Sequence, residues 1–328
     1  MSSNQDLLQK ADMTLADLSG GTKGGLLPPE EGATFIRKLI DQPVIMRVSR
    51  VVEMNAPQRK INKIGFGSRI LRKAVSATAL TEAQRSKPTT EQIELNTKEV
   101  IAEVRLPYDV VEDNIERATA ATNSPSNQAQ MGGLKDTLIT LIAERAALDM
   151  EELAILGDTA YTNAGDQDDE DYLSLVDGYL KLANDNGNVL DVANATISRQ
   201  MFRDAVKTMP DKYLRNKASM RHFISFDNET HYRDMVADRQ TGYGDATVQG
   251  TSELRAFGSA ITPVALMPDE KGLYCNPLNL LFGIQRQVSM EYDKDITARV
   301  YIIVLTARID VQIEEAEAVV TYQNIAAA

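Results

Sequence analysis

The sequence has no tryptophan, one cysteine and two histidines in 328 residues, and only 5% of its residues are aromatic. Each shortage removes a class of function. A lone Cys275 cannot close an intrachain disulfide, so no disulfide framework holds the fold, and the usage fits a reducing compartment. His222 and His231 flank the strand-like run Phe223-Ile224-Ser225-Phe226, a spacing that cannot set both on one helix face as paired zinc ligands. No Ser/His/Asp order, nucleophile-elbow glycine pattern or Walker lysine pattern can be read, so neither a catalytic residue nor a cofactor is expected. The longest purely apolar run, Val300 to Leu305, falls far short of the roughly 18 residues that suggest a membrane span. Met1-Ser2-Ser3-Asn4-Gln5-Asp6 lacks a basic stretch followed by an apolar one, and no secretory leader is expected.

What is present is an ordinary folding composition, 43% apolar and 25% charged, with an uneven distribution of charge. The length favours two lobes, or one lobe with extensions, over a single ball. The formal charge is -12. Yet residues 44 to 90 carry ten basic side chains against Glu53 and Glu82, whereas residues 151 to 191 carry eleven acids against Lys181. One chain therefore holds a basic segment and an acidic one.

The pattern of elements is that of an α+β protein. Ser3 can cap a short helix bearing Leu7, Ala11, Leu15 and Leu18; after a glycine-rich hinge, Pro28-Pro29-Glu30-Glu31 opens a second that carries Phe35, Ile36, Leu39 and Ile40 to Pro43. Neither can bury its face against the other, so residues 1 to 43 read as an arm. Val44 to Met54 and Glu91 to Leu106 are β-rich runs expected to form one long hairpin, with a bulge where the apolar face of the second run switches. Its tip, residues 55 to 90, is basic and too poor in apolar residues to build a core. A connection of that length suits a limb reaching a neighbour better than a loop in a compact domain.

Pro107 opens a short helix through Glu116, and a polar linker runs from Thr119 to Gln130. Leu134, Leu138, Leu141, Ile142, Leu148, Leu153 and Leu156 then recur every three or four residues until Gly157. A helix of that length spans about 35 Å. Further helices are expected over Leu173 to Asn184, over Arg199 to Met209 with Ser198 as cap, and over Asn228 to Asp238 with Asp227 as cap. Strands are expected over Arg221 to Phe226, Ala260 to Leu266, Leu278 to Ile284, Ile296 to Ala307 and Arg308 to Ile313, with a tail to Tyr322. A loop over 240 to 250 separates two of them. The long helix is the candidate cover for the C-terminal strands.

In this order the parts resemble the major capsid proteins of tailed bacteriophages, the family with the Hong Kong 97 fold. Glu103-Val104-Arg105-Leu106-Pro107 with Val110-Val111-Glu112-Asp113 is similar to the entry of that family's peripheral domain. Glu144-Arg145-Ala146-Ala147-Leu148-Asp149 through Ala154-Ile155-Leu156-Gly157-Asp158 resembles the end of its spine helix. Gly258-Ser259-Ala260-Ile261-Thr262-Pro263-Val264 with Met267-Pro268, and Arg308-Ile309-Asp310-Val311 with Glu317-Ala318-Val319-Val320, resemble its axial and closing strands. The resemblance implies an arm (1–43), an extended hairpin (44–106), a peripheral domain (107–172) with its spine helix at 133–157, an axial α/β domain (173–277) and C-terminal strands (278–328) returning to the peripheral domain. It implies pentamers and hexamers tiled into an icosahedral virion shell around packaged double-stranded DNA, assembled in the host cytoplasm and later expanded. Portal and possible cement proteins follow as partners, and the short arm points to a separate scaffolding protein. Some relatives cross-link Lys to Asn; no motif assigns such residues here.

The charged segments supply the candidate site. Arg59, Lys60, Lys63, Arg69, Arg72 and Lys73 of the hairpin are expected to meet the acidic run Asp166, Asp168, Asp169, Glu170 and Asp171 of a neighbouring copy. The alternative is non-specific contact with DNA phosphates, since Phe66 alone cannot make a base-stacking surface. The acidic run could instead hold Ca²⁺, or with Asp166, Asp168 and Asp171 serve a metal-dependent enzyme. It lacks the glycine and closing Glu of an EF-hand, and the expected reading is a solvated acidic loop with no metal. Cys275, His222 and His231 read as structural. An encapsulin-type nanocompartment shell, which shares the fold but holds enzymes, is the nearest competing function.

Overall fold

The computed structural model describes residues 43–66, 69–71, 73, 81–82, 85, 87–107, 133–238 and 253–326. The arm, the helix expected after Pro107, the linker to Gln130 and the loop over 240 to 250 lie outside the described residues, as does Arg72. The elements are α1 (Ile45–Val48), β1 (Arg50–Glu53), β2 (Gln58–Gly65), β3 (Thr89–Asn96), β4 (Lys98–Pro107), α2 (Gly133–Leu156), α3 (Gln167–Leu173), α4 (Tyr179–Asn186), β5 (Asn188–Asp191), α5 (Arg199–Thr208), β6 (Arg221–Ile224), α6 (Phe226–Ala237), β7 (Arg255–Ala256), β8 (Ser259–Pro263), β9 (Gly272–Cys275), β10 (Leu280–Asp295), β11 (Val300–Ile313) and β12 (Val319–Gln323).

Two sheets organise these elements. One has four strands in the order β1-β10-β11-β4, the other six in the order β5-β12-β9-β6-β8-β7. β11 is one continuous strand where two runs were expected, because Ile303, Leu305, Ala307, Ile309, Val311 and Ile313 alternate without a break and all bury one face. The core between the sheets takes Met150, Leu153, Ala154 and Ile155 from α2, Tyr179, Leu180 and Ala183 from α4, Leu305 and Ile309 from β11, and Phe223, Leu273, Cys275 and Val319 from the six-stranded sheet. So α2 shares its covering role with α4. On the opposite face of the six-stranded sheet, Tyr274, Val320 and Tyr322 pack under Met201, Phe202 and Ala205 of α5 and Tyr232 and Val236 of α6.

Several expectations are corrected. Val44 to Met54 is not a strand of the hairpin: it contains α1 and then β1, which pairs in parallel with β10 through Val52 and Gly283. The hairpin is β2 with β3, in register from Gln58 with Asn96 to Gly65 with Thr89. The face switch in the second run is no bulge. At Thr97 the chain leaves the hairpin and enters the four-stranded sheet as β4, with Thr97 N–H donating to the Pro57 carbonyl at 3.0 Å. The helix expected over Leu173 to Asn184 starts only at Tyr179, as α4: α3 ends at Leu173, and the chain between them turns where Gly178 N–H reaches the Gly157 carbonyl at 2.8 Å. Ser225, not Asp227, caps α6, accepting from Asn228 N–H, because the preceding strand ends at Ile224. The last strand, β12, does not stay with β10 and β11; it crosses to the six-stranded sheet and pairs with β5 and β9.

Candidate assembly interface

The hairpin has almost no core of its own. Its packing is on the root side, where Leu95 joins Val52, Met54 and Leu281, with the facing pair Ile61 and Ile93 partly buried against them. Eight paired residues per strand extend it by about 27 Å. Along it, the cations are met within the same chain: Arg59 donates to the Glu53 carbonyl, Lys60 lies 3.5 Å from Glu94, and Lys63 lies 3.4 Å from Glu91 and pairs with Glu315. Partial burial pulls the Lys63 pKa down, but the carboxylates of Glu315 and Glu91 outweigh it and leave the ammonium above its usual range. Glu315 is correspondingly lowered, burial being outweighed by Lys63 and Tyr213. Past the strands, Arg69 and Lys73 are exposed.

Sequence reasoning missed the apolar character of this limb. Ile64, Phe66, Ile70 and Leu71 are 69%, 52%, 54% and 85% exposed. The signal lies in Ile64-Gly65-Phe66-Gly67 and Ile70-Leu71, four large apolar residues set among the basic side chains of the tip. A monomer gains nothing from such a tip, and exposed apolar clusters of this kind mark contact surfaces.

The acidic run is not a loop but the start of α3. Asp166 is its cap, the carboxylate accepting from Asp169 N–H at 3.2 Å. Asp169 accepts from the Tyr161 hydroxyl at 2.8 Å, which raises the Tyr161 pKa, and Glu170 accepts from Asn163 N–H at 2.7 Å. Asp171 accepts from Gln167 at 3.2 Å, while Asp168 is exposed in the first helical turn. Acids at that end are favoured by the helix dipole. Four of the five carboxylates thus accept hydrogen bonds within their own chain. Among the described residues, no three His, Cys, Asp or Glu side chains come together as metal ligands, and no helix is long and apolar enough to cross a membrane.

The remaining titratable groups of the core are structural in their surroundings. Cys275 is fully buried and its thiol pKa is pushed up by that burial, the opposite of an activated nucleophile. Glu151, 3% exposed near the C-terminal end of α2, accepts the Ile45 N–H at 2.5 Å at the start of α1. Burial raises its pKa against the opposing pull of the backbone N–H groups of Ile45, Val44 and Met46. It ties the root of the arm to the long helix, and sequence periodicity gave no sign of it.

No family model matches the sequence. A putative prophage capsid protein of Bacillus subtilis (strain 168), YqbE, is 41% identical to this chain, with 96% of this chain and 97% of that protein covered. The fold is similar to that of a solved satellite phage P4 procapsid that includes the size determination (Sid) protein, with a TM-score of 0.60, 12% identity, and 98% of this chain and 95% of that chain covered. It is also similar to the holo-SrpI encapsulin complex of Synechococcus elongatus PCC 7942, with a TM-score of 0.55, 10% identity, and 100% and 97% covered. The fold alone is therefore shared by phage shells and encapsulins, and the sequence relative decides between them. This chain belongs to the phage and prophage capsid proteins, with the Hong Kong 97-type α+β fold and a structural role in a virion shell.

Proposed function

We propose that copies of this chain associate as pentamers and hexamers and close into an icosahedral shell around packaged double-stranded DNA. The observation that carries this reading is the hairpin: a limb with a packed root, exposed apolar residues from Ile64 to Leu71, and no core to fold back on. Such a limb is stabilised only when laid over another subunit. Many modest contacts become strong together when closed symmetry makes them simultaneous.

The charge distribution supports the same reading. Arg69, Arg72 and Lys73, with the apolar tip, would meet the acidic start of α3 on a neighbour, while the negative remainder of the chain keeps the wall from adhering to DNA phosphates. DNA contact is then non-specific and weak. A separate scaffolding protein directs assembly in the host cytoplasm, with a portal and cement proteins completing the particle. Negative-stain electron microscopy of the chain expressed alone and with its neighbouring genes tests this. Closed shells of uniform diameter, or capsomers, are expected; a stable monomer under both conditions overturns it.

A further inference from the structure

Three local choices on the α5–α6 layer work against the subunit's own stability, and they lie on one face. The first is on α5, which buries Met201, Phe202 and Ala205 and exposes Arg199, Arg203 and Lys207 at intervals of four, a basic stripe. Arg199 sits in the first helical turn, where the helix dipole disfavours a cation. The second is on α6, which buries Asn228, Tyr232 and Val236 and exposes Asp227, Asp234 and Asp238, an acidic stripe. Asp234 and Asp238 sit at its C-terminal end, where the dipole disfavours anions.

The third is Phe257, in the two-residue turn between β7 and β8. Its φ is +49° and that of Gly258 is +92°, a pair of left-handed positions that favours Asn-Gly and strains a bulky side chain. Phe257 is nonetheless 41% exposed. It borders a hollow with Arg199, Gln200, Arg203 and Met235, and so stands beside both helices. Residues that break a local rule at an exposed position are where function is sought.

Neither stripe neutralises the other. Arg203 pairs with its neighbour Asp204 at 3.0 Å, and among the described residues Arg199, Lys207, Asp227, Asp234 and Asp238 have no ion pair. A polyanion would suit the basic stripe but would be repelled by the acidic one. A second copy of this chain suits both.

We propose that the α5–α6 layer is a contact between adjacent copies, with the basic stripe of one against the acidic stripe of the next and Phe257 as the apolar anchor between them. This rests on the reading that copies assemble side by side in rings, which repeat such a contact at every step. Aromatic and arginine side chains are the usual anchors of such contacts.

The test uses the full chain under conditions where the wild type forms shells; if the wild type forms none, the shell reading fails and this one is not reached. The variant Arg199→Glu with Arg203→Glu, and the variant Asp234→Lys with Asp238→Lys, are each expected to give at least about tenfold fewer closed particles by microscopy and sedimentation. Their melting temperatures should not fall, since the changes at Arg199, Asp234 and Asp238 agree with the helix dipoles. Combining all four changes restores opposite signs across the contact and should restore shells. Two-site variants that assemble normally, or a folded four-site variant that assembles no better than they do, overturn the pairing. Independently, Phe257→Asn relaxes the turn and is expected to melt higher than wild type while assembling less; any other combination overturns the anchor role.

Discussion

Neutral imidazole is the form that suits His222, which is fully buried between the edge of Phe202, 4.9 Å away, and the stacked ring of Tyr274, 4.2 Å away. Its Nδ1 is 2.6 Å from the Tyr322 hydroxyl, and its Nε2 has no hydrogen-bond partner among the described residues. Burial pushes the pKa down to about 3. The unfolded chain therefore takes up a proton near the ordinary value of about 6.5 while the folded chain does not, and stability falls as pH falls. Above about pH 6.5 the group contributes nothing; below it, the loss should approach about 1.4 kcal/mol per pH unit until the folded value is reached. The difference between wild type and His222→Gln in urea midpoints across pH 4 to 8 isolates this effect, and parallel curves would refute it. Glu151 is the opposite case, a buried acceptor with work to do. Replacing it with Ala leaves the N–H groups at the start of α1 unmatched and should cost about 1–3 kcal/mol in urea unfolding, with faster hydrogen exchange at Ile45. Glu151→Gln retains an accepting oxygen and should lose less.

The long helix shows why some elements are legible in sequence and others are not. α2 could be read because its leucines recur at helical spacing and because Gly157 follows, and both signals are local. Its end is also a tight spot: a Cβ on Gly157 would stand 2.3 Å from the Val176 carbonyl oxygen and 2.6 Å from that of Leu153. Gly157→Ala is therefore expected to destabilise the subunit by about 2–3 kcal/mol through forced backbone movement, read as a lower urea midpoint with unchanged slope. The hairpin is legible as an extended limb and its second run holds β3, but its first strand is β2 and not Val44 to Met54. Val44 to Met54 has the composition of a strand, and what decides its partner is β10, more than two hundred residues downstream. Propensity carries no information about that pairing. The same limit hid the fate of β12, whose Val319 and Val320 face two different cores. The candidate site divides in the same way. Its cations and acids could be counted from the sequence, whereas the capping duty of Asp166, the hydrogen bonds to Asp169 and Glu170, and the pairing of Lys63 with Glu315 arise only once loops are folded.

At the scale of the whole molecule, those duties determine which charges remain for a neighbour. Lys60 and Lys63 are paired along the hairpin and Asp166, Asp169, Glu170 and Asp171 accept hydrogen bonds around α3, so the proposed contact draws on the exposed Arg69 and Lys73, with Arg72, on one side and on the exposed Asp168 and Asp171 on the other. Reversing Arg69, Arg72 and Lys73 to Glu should block shell formation while the subunit melts as wild type does, since none of the three belongs to the packed cluster at the root of the hairpin. If the acidic start of α3 is the surface they meet, adding Asp168→Lys and Asp171→Lys to that variant should recover part of the yield. Salt offers an independent measure: between about 0.1 M and 1 M the screening length falls from roughly 10 Å to 3 Å, so exposed charge contacts weaken while the apolar contacts of Ile70 and Leu71 persist. Assembly of the wild type should then slow in high salt, and an unchanged rate would count against the charge contacts. Normal shells from the reversed variant at low salt would mean that the apolar tip alone holds the limb in place.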